Sequence, residues 1–289
     1  MFSGWDEYHL INKELAELVE SLPDSPLGEI ISYVLSSPGK RVRPLILIFS
    51  AQAMGGTASR ATNAALAIEL VHAASLAHDD ILDLGIERRG SPSALQRFGP
   101  EAALLAGDWL ISRSIELISH YSQPVISAFS SACMDMSEGE LMDLSSACSP
   151  DDYYQCISKK TATLFSASAK IGGLIAGADE VDVARLESYG THLGLGYQVL
   201  DDLEEFLGLD QGKSSKKTSV TLPIIYSGQY PDDAVAQMCI KAISDHSRSA
   251  KNALFLTPGR VDIKSRLESI VDEMTHQGLE RCRSQKSLC

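Results

Sequence analysis

Long apolar runs are missing from this chain. Every hydrophobic stretch in its 289 residues is broken by charge well short of the ~20 residues that cross a bilayer, so no integral membrane segment is expected. No secretory leader is expected either. MFSGWDEYHLINKELAELVE carries acids and no leader-like apolar run, which predicts a cytoplasmic protein. Cysteine is sparse and unpatterned: Cys133, Cys148, Cys156, Cys239, Cys282 and Cys289 form no CxxC pair, which argues against a zinc site or a disulfide framework. The terminal Ser-Leu-Cys is no prenylation box, because its cysteine is last instead of fourth from last. Positive charge is in deficit. With 25 Lys and Arg against 38 Asp and Glu, the formal charge is −13, the opposite of the basic stripe that nucleic acids select. If the ligand is an anion, something other than bulk charge must attract it.

What is abundant is helical periodicity. In residues 60–83, Ala64, Leu66, Ala67, Ile68, Leu70, Val71, Ala74, Leu76 and Ile81 recur with little period-2 alternation. Residues 102–121, 125–147, 152–176, 181–208 and 261–282 read the same way, separated by breakers such as Pro38-Gly39, Gly99-Pro100, Pro124, Pro150 and Pro258-Gly259. Several of these helices exceed twenty residues and are apolar on most sides, as helices inside a bundle are. With no fixed repeat and no long linker, the expectation is a single all-α domain over residues 1–289. The one polar, flexible stretch of note is DQGKSSKKTS, from Asp210 to Ser219.

Two acidic segments carry chemistry. In His78-Asp79-Asp80-Ile81-Leu82-Asp83, helical geometry puts Asp79 and Asp83 one turn apart on one face. In Gln198-Val199-Leu200-Asp201-Asp202-Leu203-Glu204-Glu205, Asp201 and Glu205 repeat that spacing more than a hundred residues later. Paired carboxylates repel unless a cation sits between them, and oxygen-only ligands favour Mg²⁺. Two such helices facing each other across a cavity could hold several ions, and the ions could bind a diphosphate, which would resolve the charge puzzle. Cations complete the set. Gly39-Lys40-Arg41-Val42-Arg43-Pro44 opens an apolar helix whose N–H groups also favour phosphate, and Lys159-Lys160-Thr161, Lys213, Lys216 and Lys217 add candidates. His72 lies two helical turns before Asp79 on the same stripe.

Over nearly its whole length the chain resembles the trans-type polyprenyl synthetase family, which contains the farnesyl and geranylgeranyl diphosphate synthases. The resemblance rests on GKRVRP, ELVHAASLAHDDILDLGIERRG, LAGDWL, MSEGELMDL, KKTATLF, GLGYQVLDDLEE and TLPII. It implies a bundle of long antiparallel helices around a deep central cavity, and condensation of isopentenyl diphosphate with an allylic prenyl diphosphate by a homodimer using up to three Mg²⁺. Asp79 and Asp83 would bind Mg²⁺ with Asp80 in support, and Asp201 with Asp202 and Glu205 would take a further ion. Arg88 and Lys160 would contact the allylic diphosphate; Lys40, Arg43, His72 and Arg89 would hold isopentenyl diphosphate. Thr161 and Gln198 match positions that support the carbocation region, and Lys213 matches a loop lysine that grips the departing diphosphate.

The chain departs from the family pattern where the second motif ends in Glu205 instead of aspartate. Its following loop is also shorter, leaving Lys216 or Lys217 to stand for a second lysine. In this family a bulky residue four or five positions before the first aspartate blocks the growing product. Here those positions are Ser75 and Ala74, both small, which implies a product of C20 or longer with Val71, Ile68 or Trp109 as floor. Three other readings remain in play. A terpene cyclase shares the metal logic but typically lacks GKRVRP and the paired arginines. A non-catalytic partner subunit would be expected to lose one acidic motif. An acidic scaffold has no use for the ordered cations.

Overall fold

The computed structural model describes residues 2–145, 149–209, 213–214 and 219–286. The elements run α1 (Asp6–Glu20), α2 (Pro26–Leu35), α3 (Val42–Ala53), α4 (Ala58–Leu82), β1 (Glu87–Arg88), β2 (Ser91–Pro92), α5 (Ala94–Phe98), α6 (Pro100–Ile118) and α7 (Gln123–Leu144). They continue with α8 (Pro150–Ile157), a π-helical turn (Ser158–Ala162), α9 (Thr163–Ala176), α10 (Glu180–Phe206), β3 (Lys213–Ser214), α11 (Leu222–Ser227), α12 (Asp232–Leu256) and α13 (Val261–Lys286). The architecture is all-α, as the periodicity predicts, with one addition. A three-stranded ribbon in the order β2-β1-β3 pairs Arg88 antiparallel with Lys213.

Local chemistry sets the helix ends. The Thr57 hydroxyl accepts from the Arg60 amide to start α4, and Asp179 accepts from the Asp182 amide to start α10. Pro100, Pro124 and Pro150 stand in the first turns of α6, α7 and α8, where a missing N–H costs nothing. The long middle helices meet through small residues. Ala61, Ala64, Ala65, Ala67 and Ala74 of α4 are buried in the core against which α6, α7 and α9 also pack. No helix among the described residues is long and apolar enough to cross a membrane.

Residues 152–176, expected to read as one helix, are interrupted by the π turn at 158–162. The extra residue per turn re-aims the side chains that follow. Here it falls where α7 presses closest: a Cβ on Gly139 would sit 2.2 Å from the Lys160 backbone nitrogen. Gly139 thus lets α7 lie directly against the segment that presents Lys160 and Thr161.

Gly139→Ala should force the two backbones apart and destabilise by about 1–3 kcal/mol, the usual cost of overpacking, with loss of turnover. Thermal melting checks this against Gly4→Ala, whose added methyl meets nothing within 4 Å and should leave the midpoint unchanged. A wild-type midpoint for Gly139→Ala would show that α7 does not constrain the π turn.

Candidate active site

The C-terminal half of α4 and the C-terminal part of α10 form walls of one cavity of about 1060 Å³, with α7, the π turn and the start of α3 completing it. Asp79 and Asp83 line it from α4; Asp201, Asp202 and Glu205 line it from α10. The two acidic segments, more than a hundred residues apart in sequence, therefore share a single space. No three His, Cys, Asp or Glu side chains among the described residues converge as a ready metal cage.

Asp79 shows the cost of this arrangement. Burial, then the nearby Glu140 carboxylate, raise its pKa to about 7; Lys160 and Arg88 oppose the rise, and Asp83 adds to it. An oxygen-only donor set facing open space, with a carboxylate held up by burial and like charge, fits a hard divalent cation that takes its remaining ligands from substrate and water. The residues that would hold it are Asp79 and Asp83 on one wall and Asp201 and Glu205 on the other.

The second aspartate of each motif is used differently. Asp80 is only 5% exposed, and its two oxygens accept three hydrogen bonds of 2.8–3.1 Å from Arg88. Asp202 is 6% exposed, with Oδ1 accepting from Gln198 Nε2 at 2.8 Å and Oδ2 from the Tyr153 hydroxyl. The sequence reading groups both with the metal carboxylates. In the structure Asp80 holds the Arg88 guanidinium and Asp202 holds an amide and a hydroxyl, because buried polar groups need partners. Burial pushes the Asp202 pKa up to about 7, and the hydrogen bonds from Tyr153 and Gln198 oppose that rise.

The cations fall into two sets. Lys160 reaches Asp143 at 2.6 Å and Glu140 at 2.8 Å, both on α7, and its pKa is raised because these carboxylates outweigh burial. Arg88, held by Asp80, lines the same side. The other set surrounds His72. Arg43 stacks 4.3 Å from the Phe165 ring centre, and its Nη1 lies 3.1 Å from His72 Nε2. A guanidinium can only donate, so His72 Nε2 accepts and the ring is neutral. Burial and the adjacent Arg43, Arg89, Arg88 and Arg41 agree, pushing His72 well below its ordinary pKa. The Arg43 Nε is buried without a hydrogen-bond partner. Lys40 sits exposed on the rim, and Arg89, in a left-handed turn with φ 54°, bonds the Pro38 carbonyl. Arg41 plays a structural part, its side chain paired with buried Glu69 at 2.7 Å.

Thr161 and Gln198 meet directly, hydroxyl to amide oxygen, at 2.8 Å. Of the chain-length candidates, Ser75 lines the cavity, while Ala74, Val71 and Ile68 are packed in the core behind it and Trp109 packs against that core. Lys213 stands on β3, its backbone paired with that of Arg88 on β1; Lys216 and Lys217 lie outside the described residues, as do Cys148 and Cys289. The other four cysteines are free. Sequence reading assigned no role to Glu140, Asp143 and Tyr153. The acids of MSEGELMDL, three apart on one helix face, were the available signal for the first two; Tyr153 left none.

A helical bundle that places two acidic helix ends and two sets of Arg and Lys around one cavity defines a diphosphate-handling enzyme of the isoprenoid synthase fold. Residues 24–255 match the polyprenyl synthetase family, and the chain belongs to that family. Geranylfarnesyl diphosphate synthase from Methanosarcina mazei is 42% identical over 279 residues, covering 96% of this chain and 94% of that one. Geranylgeranyl diphosphate synthase from Sulfolobus acidocaldarius is 34% identical over 79% of this chain and 74% of its own length. Among solved structures, a geranyltranstransferase from Methanosarcina mazei superposes with a TM-score of 0.85 at 39% identity, covering 96% of this chain and 100% of that chain. The chain is accordingly a chain-elongating prenyl diphosphate synthase, from a family that typically uses Mg²⁺.

The raised Asp79 gives a pH signature. The folded chain holds this proton more tightly than the unfolded one. Its contribution to metal-free stability is therefore complete below the ordinary value near 4 and is lost as pH rises through about 7. A bound cation reverses the preference by favouring the carboxylate. Mg²⁺ should raise the melting midpoint by several degrees at pH 8 and by clearly less at pH 6; equal shifts at both would remove Asp79 from the cation site.

Proposed function

We propose that this enzyme condenses isopentenyl diphosphate with an allylic prenyl diphosphate, releases diphosphate, and stops at a C20 to C25 product. We propose further that the whole chain works as one helical domain, binds up to three Mg²⁺ between its acidic walls, and acts as a homodimer. The observation that carries the reaction is the pairing of two acidic walls with two separate cation sets in one cavity. A cyclase or a scaffold needs no second anion pocket, and a partner subunit needs neither wall intact.

Each residue has a defined task. Asp79 and Asp83, then Asp201 and Glu205, hold the cations, which when bound neutralise the allylic diphosphate and make it a better leaving group. Arg88, held by buried Asp80, and Lys160, held by Glu140 and Asp143, grip that diphosphate, and Lys213 is the candidate for its departure. Lys40, Arg43, Arg89 and the neutral His72 hold isopentenyl diphosphate. As the allylic C–O bond ionises, the oxygens of Thr161 and Gln198 face the growing positive charge, and the double bond of isopentenyl diphosphate attacks. The released diphosphate takes the proton. The protein's contribution is fixed dipoles and exclusion of water, with no side-chain nucleophile.

Product length is supported by the relatives, whose names specify C20 and C25 products, and by Ser75 on the cavity wall beneath Asp79. The dimer is supported by a stripe of exposed apolar side chains on α6 and α7, including Leu104, Leu105, Ile115, Met134 and Leu141.

Labelled isopentenyl diphosphate supplied with C5 to C20 allylic primers and Mg²⁺ should yield C20 to C25 products, and none when the metal is chelated. Ser75→Phe should shorten the product by at least one isoprene unit. Failure of every primer would return the chain to the partner-subunit class, and an unchanged product in the variant would take Ser75 out of the tunnel wall.

A further inference from the structure

One chain of hydrogen bonds runs from the buried core to the cavity. The Tyr153 hydroxyl on α8 donates to Asp202 Oδ2 at 2.5 Å; Gln198 Nε2 donates to Asp202 Oδ1 at 2.8 Å; the Thr161 hydroxyl donates to Gln198 Oε1 at 2.8 Å. Thr161, Gln198, Asp202 and Tyr153 all border the cavity, yet Tyr153 is only 3% exposed and belongs to the core between α10 and α12.

The direction of this chain is dictated by chemistry. The Tyr153 hydroxyl points its proton at Asp202, and the ionised carboxylate so favoured only accepts, which turns the NH₂ end of the Gln198 amide toward Asp202 and its carbonyl end toward Thr161. The two ends of an amide have nearly the same size and shape, so packing alone cannot choose between them. Only the hydrogen-bond partners choose. With the observed choice, the Gln198 carbonyl oxygen and the Thr161 hydroxyl oxygen lie together beside the cavity, two negative dipole ends where positive charge develops. With the amide turned over, a pair of positive N–H groups would stand there instead.

Asp202 and Gln198 are one turn apart on α10, so neither anchors the other to anything beyond that helix. Tyr153 supplies the outside reference. It sits at the start of the segment that runs through the π turn to Thr161, and its bond to Asp202 ties that segment to α10. We propose that Tyr153 is a positioning residue for condensation: through Asp202 it sets which end of the Gln198 amide faces the allylic cation. This rests on the reading of Thr161 and Gln198 as the groups beside the reacting carbon.

The alternative is that the Tyr153–Asp202 bond merely holds the core together. A double-mutant cycle in the condensation assay separates the two, using wild type, Tyr153→Phe, Gln198→Leu and the double variant. Tyr153→Phe should lower kcat roughly tenfold while the KM for each diphosphate stays within about twofold, the mark of an interaction made in the transition state. In the Gln198→Leu background, which has no amide to orient, the same change should leave kcat unaltered. Phe keeps the ring volume, and melting midpoints certify folding. Should Tyr153→Phe prove insoluble, Asp202→Asn, which replaces the acceptor-only group with one that can also donate, should show the same kcat loss relative to wild type. Wild-type kcat in the variant tested, or an equal fold-loss in both backgrounds, would overturn the proposal. If wild type itself condenses nothing, the functional reading falls instead.

Discussion

Two acidic helix ends face each other across one cavity, and the protein cannot leave them so without help. Asp79 already carries part of the strain, with burial and a neighbouring carboxylate holding its proton on to about pH 7. The chain as a whole carries −13, so the surroundings offer no general relief. In the proposed function, divalent cations between the walls would cancel the repulsion and convert an anionic surface into one that binds diphosphate. Much of the site can be understood as support for that exchange. Asp80 holds Arg88, Glu140 and Asp143 hold Lys160, and Glu69 holds Arg41 behind the rim.

The scaffold serves the same end by allowing close approach. Buried alanines along α4 let α3, α6 and α9 pack closely against it, so the helix that leads into Asp79 and Asp83 has little freedom to shift. Gly139 brings the α7 backbone against the π turn, which aims Lys160 at the acids and Thr161 at Gln198. The β1–β3 pairing sets the backbone of Lys213 beside Arg88, so the segment after α10 returns to the first acidic motif. Sequence-distant residues are thereby fixed within hydrogen-bonding reach. Such preorganisation matters most when catalysis is electrostatic.

Much of this was legible before any coordinates. Helix periodicity revealed the all-α architecture, because long buried helices write their period into the apolar residues. The i, i+4 carboxylates revealed the two walls, because a helix leaves paired acids only one way to face. What stayed hidden were features decided by tertiary contact. Nothing local distinguishes Asp79, which faces the cavity, from Asp80, which turns into Arg88. The π turn at 158–162 depends on α7 and leaves no period of its own. Tyr153 reads as one more buried aromatic until Asp202 is seen beside it. Ala74 and Ser75 look equivalent as small residues, yet the helix turns one into the core and the other into the cavity.

The central claim is that cations, not the protein's own charge, make this cavity bind diphosphate. Calorimetric titration of inorganic diphosphate into the full-length protein tests it most directly, with Mg²⁺ present and with metal removed by chelation. The account predicts binding with Mg²⁺ that weakens at least tenfold on chelation, since each lost neutralising contact is worth on the order of 1.4 kcal/mol or more. Equal affinity in both conditions would show that the arginines and lysines suffice alone, and would contradict it.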